Sequence, residues 1–367
     1  MEKNKQRDLR LDLIRIFSFF TVVGVHFFLN SGFYNQTVTG KKMLAMCTIR
    51  SFFIICVPMF ITLTGYLMNK KQLSKTYYKG IVKTIIIYLI CSIIYSVYRT
   101  IYLNDELTIK SFLTSVLNFR GTSYSWYIEM YIGLFLIIPF LNLIFNNLKD
   151  KKEAKLLLIT LIILIGIPSV INIFNFDSWE WWQTPSMSKK YIKLFPSWWS
   201  SVYPIFYYFL GAYLSKYKIN LSKRWNIILI IVLVILDGLF NFYRSYGANY
   251  VKGTWNNYSS LIIMINTFLV FNLLLNIKIK GNNKIIKNIF TILSNACLGA
   301  YLISCIFDEI YYDYLNNWIP KIKDRFIYAP IIVLCVFISS LLLSILINVL
   351  YKFVSNIYYK IKEKIKK

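Results

Sequence analysis

Long apolar runs alternate with short polar segments along the whole chain. Each run lasts about 18–25 residues, the length that an α-helix needs to cross a bilayer, whereas a strand of an outer-membrane barrel needs about 10 alternating residues. Prolines interrupt the fifth and sixth runs, at Pro168 and Pro204. The pattern predicts an all-α integral membrane protein of about ten transmembrane helices, at about 11–29, 44–68, 81–103, 126–146, 156–173, 201–217, 226–244, 258–277, 288–312 and 328–350.

The composition supports this class of protein. Hydrophobic residues make up 57% of the chain, aromatic residues 18% and charged residues 16%. A soluble protein of this size cannot bury that much apolar surface in one core. We expect a single transmembrane domain over 1–367 without a separate soluble domain. The six cysteines lie in or beside apolar runs without a C-x-x-C pair, which predicts free thiols and no metal site.

The net charge of +26 arises from 42 Lys and Arg against 16 Asp and Glu. In a soluble protein this excess would suggest nucleic acid. Here the basic residues lie mainly in short loops, which favours contact with anionic headgroups of the lipid bilayer, so we expect no nucleic acid as a partner. Loops on the N-terminal side carry 27 Lys and Arg, and those on the other side carry 12. With an even number of spans, this bias predicts cytoplasmic termini in a multi-pass protein of the plasma membrane.

The first span, LDLIRIFSFFTVVGVHFFL, contains ionisable residues and the only histidine of the chain, His26. Arg15 lies eleven positions earlier, which places both side chains on one helix face, about 16 Å apart along the axis. Asp12 shares the face of Arg15 and is positioned to pair with it. Ionisable groups are costly in a bilayer and usually face the bundle interior, which favours function over a structural histidine bonded to a carbonyl or hydroxyl. With an unperturbed pKa of about 6.5, histidine suits a general base.

Two other charged residues lie at the predicted depth of His26. Glu129 is a candidate to orient the imidazole through its second nitrogen, as a carboxylate does in hydrolase triads. Arg50 is a candidate to stabilise an oxyanion. The alternatives are a pair with a neighbouring basic residue for Glu129 and an outward, snorkelling side chain for Arg50. Other possible carboxylate partners of His26 are Asp237, Asp308 and Glu309.

The predicted outward loops are long and aromatic, and one of them reads DSWEWWQTPSMSKKYIKLFPSWW. Its five tryptophans have two interpretations. They form an interfacial belt, because indole sits well at headgroup depth and tryptophan commonly flanks spans. Alternatively, they form a platform on which a sugar stacks. Both interpretations remain open from the sequence, with the belt favoured.

Five segments resemble, in order, the acyltransferase-3 family of multispan bacterial membrane O-acyltransferases. In the first, an arginine and a histidine are separated by ten residues. The second has Thr64-Gly65-Tyr66 where the family usually has Ser-Gly-Tyr, and the third contains Trp126, Tyr127 and a later proline, Pro139. The segments are RLDLIRIFSFFTVVGVH, IRSFFIICVPMFITLTGYLMNKK, SWYIEMYIGLFLIIPFL, IFYYFLGAYLSK and LSNACLGAYLIS. Together they extend over nearly the whole chain.

The chain also departs from the family pattern. The family often has a histidine just before the tryptophan of the fourth span, where this chain has Tyr124, and another in the ninth-span motif, where it has Ser304. An arginine pair before the third span is replaced by lysines, with Lys79 and Lys83 the nearest. Only the first-span histidine remains. The resemblance therefore assigns an essential histidine to His26.

The resemblance implies transfer of an acyl group, usually acetyl, from cytoplasmic acyl-CoA to a hydroxyl of an extracytoplasmic or lipid-linked acceptor. A pantetheine arm is long enough to extend from Arg15 toward His26. A glycan or lipid-linked saccharide of the cell wall or surface is the expected acceptor, with Tyr124 and Trp126 near its entrance. The cations expected near the anionic head of acetyl-CoA are Arg15, with Asp12 beside it, Lys79 and Lys83.

Other functions compete with this one. Ten spans with intramembrane charges also suit a transporter or flippase of a glycan or lipid-linked sugar, although repeated halves with broken Gly/Pro helices are not visible. A membrane acyltransferase of the unrelated MBOAT fold also uses a buried histidine, but the early position of His26 argues against it. Direct transfer and an acyl-histidine intermediate both remain open.

Overall fold

A computed structural model describes residues 7–188, 190–279 and 283–365. Within these ranges the protein is helical and contains no β-strand. Its α-helices are α1 (Leu9–Asn30), α2 (Gly40–Phe53), α3 (Cys56–Met68), α4 (Lys75–Lys79), α5 (Val82–Tyr102), α6 (Ile109–Leu117), α7 (Trp126–Asn146), α8 (Lys151–Leu161), α9 (Pro168–Ile171), α10 (Trp179–Gln183), α11 (Tyr203–Lys216), α12 (Lys223–Ser245), α13 (Leu261–Leu275), α14 (Lys284–Trp318), α15 (Ile322–Arg325) and α16 (Ala329–Ile365).

Nine helical segments of the described chain are long and apolar enough to cross a membrane. The prediction of an all-α integral membrane protein is confirmed. The nine segments are Leu9–Asn35, Gly40–Met68, Lys75–Tyr102, Trp126–Asn146, Lys151–Ile171, Lys223–Ser245, Thr254–Leu275, Lys284–Trp318 and Ile322–Phe353.

The sixth predicted span, 201–217, is absent from these nine and corresponds to α11, which has only 14 residues. At 1.5 Å per residue α11 is about 21 Å long, shorter than the hydrocarbon core of about 30 Å. Residues 206–214 are all buried. The apolar character of α11 therefore reflects burial among other helices, which periodicity alone does not distinguish from exposure to lipid.

Two glycines allow α11 and α3 to cross in direct backbone contact. A Cβ on Gly65 would lie 1.9 Å from the carbonyl oxygen of Tyr208, and a Cβ on Gly211 would lie 1.9 Å from that of Thr62. Only glycine fits both positions. Small residues at helix crossings allow close packing where no hydrophobic effect drives association. This contact gives a structural reason for the glycines in two of the family-like segments.

The second predicted span is broken between α2 and α3, at Ile54 and Ile55. Pro58 explains the break, because proline has no N–H for the carbonyl four residues earlier, and its ring clashes with that carbonyl. Ile54 and Ile55 are buried in protein. Irregular backbone at membrane depth is tolerated where protein or a cavity surrounds it, and this break borders the candidate site.

The fifth predicted span is interrupted beside Pro168, as expected from the sequence. A π-helical turn, Ile162–Gly166, precedes Pro168, and the Ile167 N–H donates to the Ile162 carbonyl at 3.0 Å. Pro204 lies in the first turn of α11, where the lack of an N–H costs no intrahelical hydrogen bond.

Three helices define the two ends of the bundle. Helices α1 and α14 run parallel, and α16 runs back beside α14, so that it returns to the end at which α1 begins. We call this the N-terminal end and the other the far end. The contacts that define these directions are Arg15–Ser294, Asn30–Asn316 and Ser344–Ala296.

The tryptophan-rich loop is anchored on α12 by a buried arginine. The guanidinium carbon of Arg244 lies 4.5 Å from the ring centre of Trp181 and 4.8 Å from that of Trp255. Arg244 also donates to the Pro185 carbonyl and to the Tyr191 hydroxyl. Trp181 is therefore part of the protein interior. Three other tryptophans of the loop are exposed, namely Trp179, Trp198 and Trp199.

Candidate functional site

His26 borders a cavity of about 810 Å³ toward the far end of the bundle. The residue itself is 9% exposed. Helix α1 contributes Val22, Val25, His26 and Leu29 to the lining, which follows from helical spacing on one face. The broken region between α2 and α3 contributes Ile54, Cys56 and Val57.

A buried aspartate lies beside the imidazole. Nδ1 of His26 is 3.3 Å from Oδ2 of Asp308 on α14, an ion-pair distance, although Nδ1 makes no hydrogen bond in this geometry. Asp308 is 2% exposed, and its Oδ1 has no hydrogen-bond partner among the described residues. A carboxylate at Nδ1 favours the tautomer with the proton on Nδ1, which leaves Nε2 as the basic nitrogen.

Tyr124 links the imidazole to this carboxylate. Its ring centre lies 3.9 Å from that of His26, and its hydroxyl donates to Asp308 Oδ2 at 2.7 Å. The side-chain amide of Asn30 donates to the Tyr124 hydroxyl at 3.3 Å and to the His26 carbonyl at 3.0 Å. The histidine is thus held between an aromatic ring and a buried acid.

The structure does not bring Glu129 to the imidazole. Glu129 is exposed on α7, lines neither cavity described here and forms no ion pair within the described ranges. Its position along α7 corresponds to the predicted depth of His26 in the membrane. However, α7 is rotated so that Tyr127 and Ile128 face the interior. Asp308 takes the position expected for Glu129. Glu309 accepts a hydrogen bond from the Tyr95 hydroxyl and forms none with His26.

Arg50 lies in the same cavity as His26 and does not snorkel outward. It is 5% exposed. Its Nε donates to the Tyr34 hydroxyl and its Nη1 to the Tyr250 hydroxyl, both at 2.8 Å. Two of five guanidinium donors are therefore used by tyrosines.

Tyr124 and Trp126 both line the cavity. Trp126 is half-exposed and stacks on Tyr258, with ring centres 6.0 Å apart and planes 17° from parallel. The structure thus brings four residues selected from the sequence into one cavity: His26, Arg50, Tyr124 and Trp126.

The segment before α13 adds residues that the sequence reasoning missed. Lys252 lies with its Nζ 4.3 Å from the ring centre of Tyr34. Three polar side chains, those of Thr254, Asn256 and Asn257, line the cavity beside it. The polar run KGTWNN between two apolar spans was the available signal. Lys252 and Arg50 are cationic, and the described lining residues include no carboxylate.

Arg15 borders a second cavity, of about 170 Å³, nearer the N-terminal end. Its side chain is 30% exposed, and Nη1 donates to the Ser294 hydroxyl at 2.7 Å. Asp12 lies 3.9 Å from Arg15 but forms its closer contacts, two of 2.7 Å, with Arg7. The main partner of Asp12 is therefore Arg7. This leaves most of the Arg15 donors available.

The two cavities adjoin. Val22, Val57 and Tyr301 line both of them. Arg15 borders one and His26 the other, on the same face of α1. One face of α1 therefore borders both cavities, one after the other along the helix.

The two predicted lysines lie at the N-terminal end. Lys79 is exposed at the end of α4. Lys83 is on α5, within electrostatic range of Arg15 and Lys352, and the next residue, Thr84, lines the Arg15 cavity. Lys83 is thus the closer of the two to the cavity.

A comparison with protein families identifies the family of this chain. The family model for the acyltransferase-3 domain, described as an acyltransferase domain, matches residues 8–349. This chain belongs to the acyltransferase-3 family. Comparisons with curated proteins and with solved structures find no match. Family membership supports a membrane acyltransferase over the transporter alternative.

The six cysteines are free. In the part of the chain that the structure describes, no group of three or more His, Cys, Asp or Glu residues could hold a metal ion.

Proposed function

We propose that this acyltransferase-3 protein transfers an acetyl group from acetyl-CoA to a hydroxyl of a glycan or lipid-linked saccharide, with His26 as general base. The observation that carries the proposal is the pair of adjoining cavities on one face of α1, with Arg15 in one and His26 in the other. A bacterial plasma membrane, with the N-terminal end cytoplasmic, is the proposed setting.

The Arg15 cavity suits the donor. It is narrow, and a pantetheine arm is a thin chain that fits such a space. Arg15 offers a planar set of donors that recognises phosphate better than lysine does. Lys83 and Lys79 add positive charge at the same end. The distance of about 16 Å between Arg15 and His26 along α1 is one that the arm can cover.

The His26 cavity suits the acceptor. Asn257 and Thr254 supply hydrogen-bonding groups, and Trp126 and Tyr258 supply aromatic faces. A saccharide presents hydroxyls in its ring plane and C–H groups on its faces, so this mixture matches both. Pockets with a few polar groups among aromatic walls commonly bind small polar molecules.

The proposed reaction is direct acyl transfer. Nε2 of His26 takes the proton of the acceptor hydroxyl, whose oxygen forms a bond to the thioester carbonyl carbon. Arg50 stabilises the resulting oxyanion. The C–S bond then breaks, and the CoA sulfur takes the proton from the imidazolium, giving an ester and free CoA. Asp308 stabilises the imidazolium between these steps.

Replacement of the histidine tests the proposal. Purified His26→Ala should lose about 10²–10⁴-fold in kcat for transfer of radiolabelled acetyl from acetyl-CoA to the glycan and lipid fraction of membranes, because the general base is absent. The matched control is Glu129→Gln, which changes an exposed charge on α7 and should keep wild-type activity. Full activity of a folded His26→Ala would overturn the assignment.

A further inference from the structure

A large apolar groove lies on the side of α1 that faces away from His26. It has a volume of about 1130 Å³ and lies between α1, α2 and the start of α16. Helix α1 contributes Phe20, Gly24, Phe27 and Phe28. Within the described chain, its lining shares no residue with the His26 or Arg15 cavities. The groove is therefore separate from the candidate active site.

The groove opens toward the surrounding bilayer. Three of its lining side chains, Ile49, Ile327 and Leu334, are exposed on the outside of the bundle. These residues belong to segments that are apolar enough to cross a membrane or directly adjoin them. Exposed apolar side chains at this depth face lipid chains instead of water. A hydrocarbon chain can therefore enter the groove from the side.

The rim of the groove at the far end is cationic. It carries Lys42, Lys321 and Lys323, with Asp324 as the single acid among the described lining residues. Lys42 forms an ion pair with Asp324, and Lys323 donates to the Thr39 carbonyl and hydroxyl. Lys321 is exposed, and its ammonium group forms no hydrogen bond or ion pair in the described ranges. The rim thus keeps an excess of positive charge.

The segment that forms this rim is held in place by a buried arginine. Arg325 donates to four backbone carbonyls, at distances of 2.7–3.2 Å. These carbonyls belong to Ser31, Asn316, Ile319 and Pro320. Arg325 connects the ends of α1 and α14 to the rim. It therefore fixes the position of the rim lysines relative to the apolar lining of the groove. The groove is a preformed site.

We propose that this groove binds an anionic phospholipid of the bilayer. One acyl chain lies against the phenylalanine face of α1, and the phosphate lies at the rim beside Lys321, Lys42 and Lys323. Binding needs both an acyl chain and a negatively charged headgroup, because the groove is apolar and its rim is cationic. The lipid would contact the face of α1 opposite His26, so its role is distinct from that of donor or acceptor.

Native mass spectrometry of the full-length protein in detergent tests this proposal. Palmitoyl-oleoyl-phosphatidylglycerol should bind about tenfold or more tightly than the phosphatidylcholine with the same chains, because several rim lysines lie near the phosphate. The Lys42→Ala/Lys321→Ala double variant should lose most of this preference. Its matched control is Lys110→Ala/Lys193→Ala, which removes two exposed lysines away from the groove, one in α6 and one in the tryptophan-rich loop, and should keep the preference.

A second variant tests the apolar part. Ala329→Trp places a large ring in the groove and should reduce binding of both phospholipids. Glycerol 3-phosphate, which lacks acyl chains, should not displace phosphatidylglycerol. Equal binding of the two lipids to wild type, a rim double variant equal to its control, or displacement by glycerol 3-phosphate would each overturn the proposal. If Ala329→Trp does not fold, the lysine variants and the competition decide.

Discussion

The two cavities along α1 differ in volume and in the residues that line them. The cavity at His26 has about 810 Å³ and mixes amides, hydroxyls and aromatic rings, whereas the cavity at Arg15 has about 170 Å³. The wide one borders the break between α2 and α3, and the narrow one borders the regular part of α3 at Thr64 and Phe60. The larger cavity thus lies beside the irregular backbone between α2 and α3, and the smaller cavity lies beside the regular part of α3.

The ionisable groups differ in the same way. His26 is buried against Asp308 and Tyr124, which restrain the imidazole. Arg15 is partly exposed and has one short side-chain contact, to Ser294. A restrained base suits proton transfer, and an accessible cation suits binding of a mobile anionic donor. In the proposed mechanism, one helix face presents the general base and the donor-binding residue in separate cavities.

The largest effect is expected for the carboxylate beside His26. Asp308→Asn should lower kcat about 10²–10⁴-fold, because the imidazolium loses its charge partner and the tautomer is no longer set. The KM for acetyl-CoA should change little. Steady-state acetyl transfer measures both constants.

The matched control for Asp308 is Tyr124→Phe, which keeps the ring against His26 but removes its hydrogen bond to Asp308. Because the general base and its carboxylate partner both remain, kcat should fall by no more than about tenfold, which is about 1.4 kcal/mol in activation free energy. A folded Asp308→Asn with normal kcat would show that the acid does not act through His26.

The next effect concerns the arginine of the wide cavity. Arg50→Gln should lower kcat about 10²–10³-fold, because an oxyanion donor is lost, while the KM for acetyl-CoA stays close to wild type. Tyr250→Phe, which removes one hydroxyl partner of Arg50, is the control for altered packing. If Arg50→Gln changes KM alone, Arg50 belongs to binding and not to stabilisation of the intermediate.

A smaller effect, on KM instead of kcat, is expected for Arg15 in the smaller cavity. Arg15→Gln should raise the KM for acetyl-CoA about 10–100-fold, because a charge-assisted hydrogen bond is lost, and leave kcat nearly unchanged. Acetyl-pantetheine, which lacks the phosphates, should react equally with wild type and variant. A variant that discriminates against both donors to the same degree would contradict phosphate binding by Arg15.

The smallest catalytic effect is expected for Arg244, which is buried among aromatic rings like Arg50 but borders neither cavity. Arg244→Met leaves the Pro185 carbonyl and the Tyr191 hydroxyl without their donor. The free energy of unfolding should fall by about 1–3 kcal/mol, with kcat within about twofold of wild type. Thermal unfolding and the transfer assay measure the two. A large loss of kcat would place the tryptophan-rich loop in catalysis.

Residue spacing predicted part of the geometry of the candidate site, and the roles of its residues stay predictions. The interval between Arg15 and His26 places both on one helix face, and in the structure each borders one of the two adjoining cavities. Glu129 shows where this reasoning ends. Its position along α7 indicates depth in the membrane, but the rotation of α7 about its own axis decides which side chains face His26, and rotation depends on packing against other helices.

By itself, the sequence determined the class of the protein, most of its membrane-crossing helices and the face that carries Arg15 and His26. These follow from apolar length and helical period, which are local properties of the chain. Only the tertiary structure decided that Asp308 lies beside His26, 282 positions away, that α11 is a short core helix, and that a cationic rim borders a separate groove. Such contacts depend on how distant helices pack, and helix packing is not encoded in any one segment.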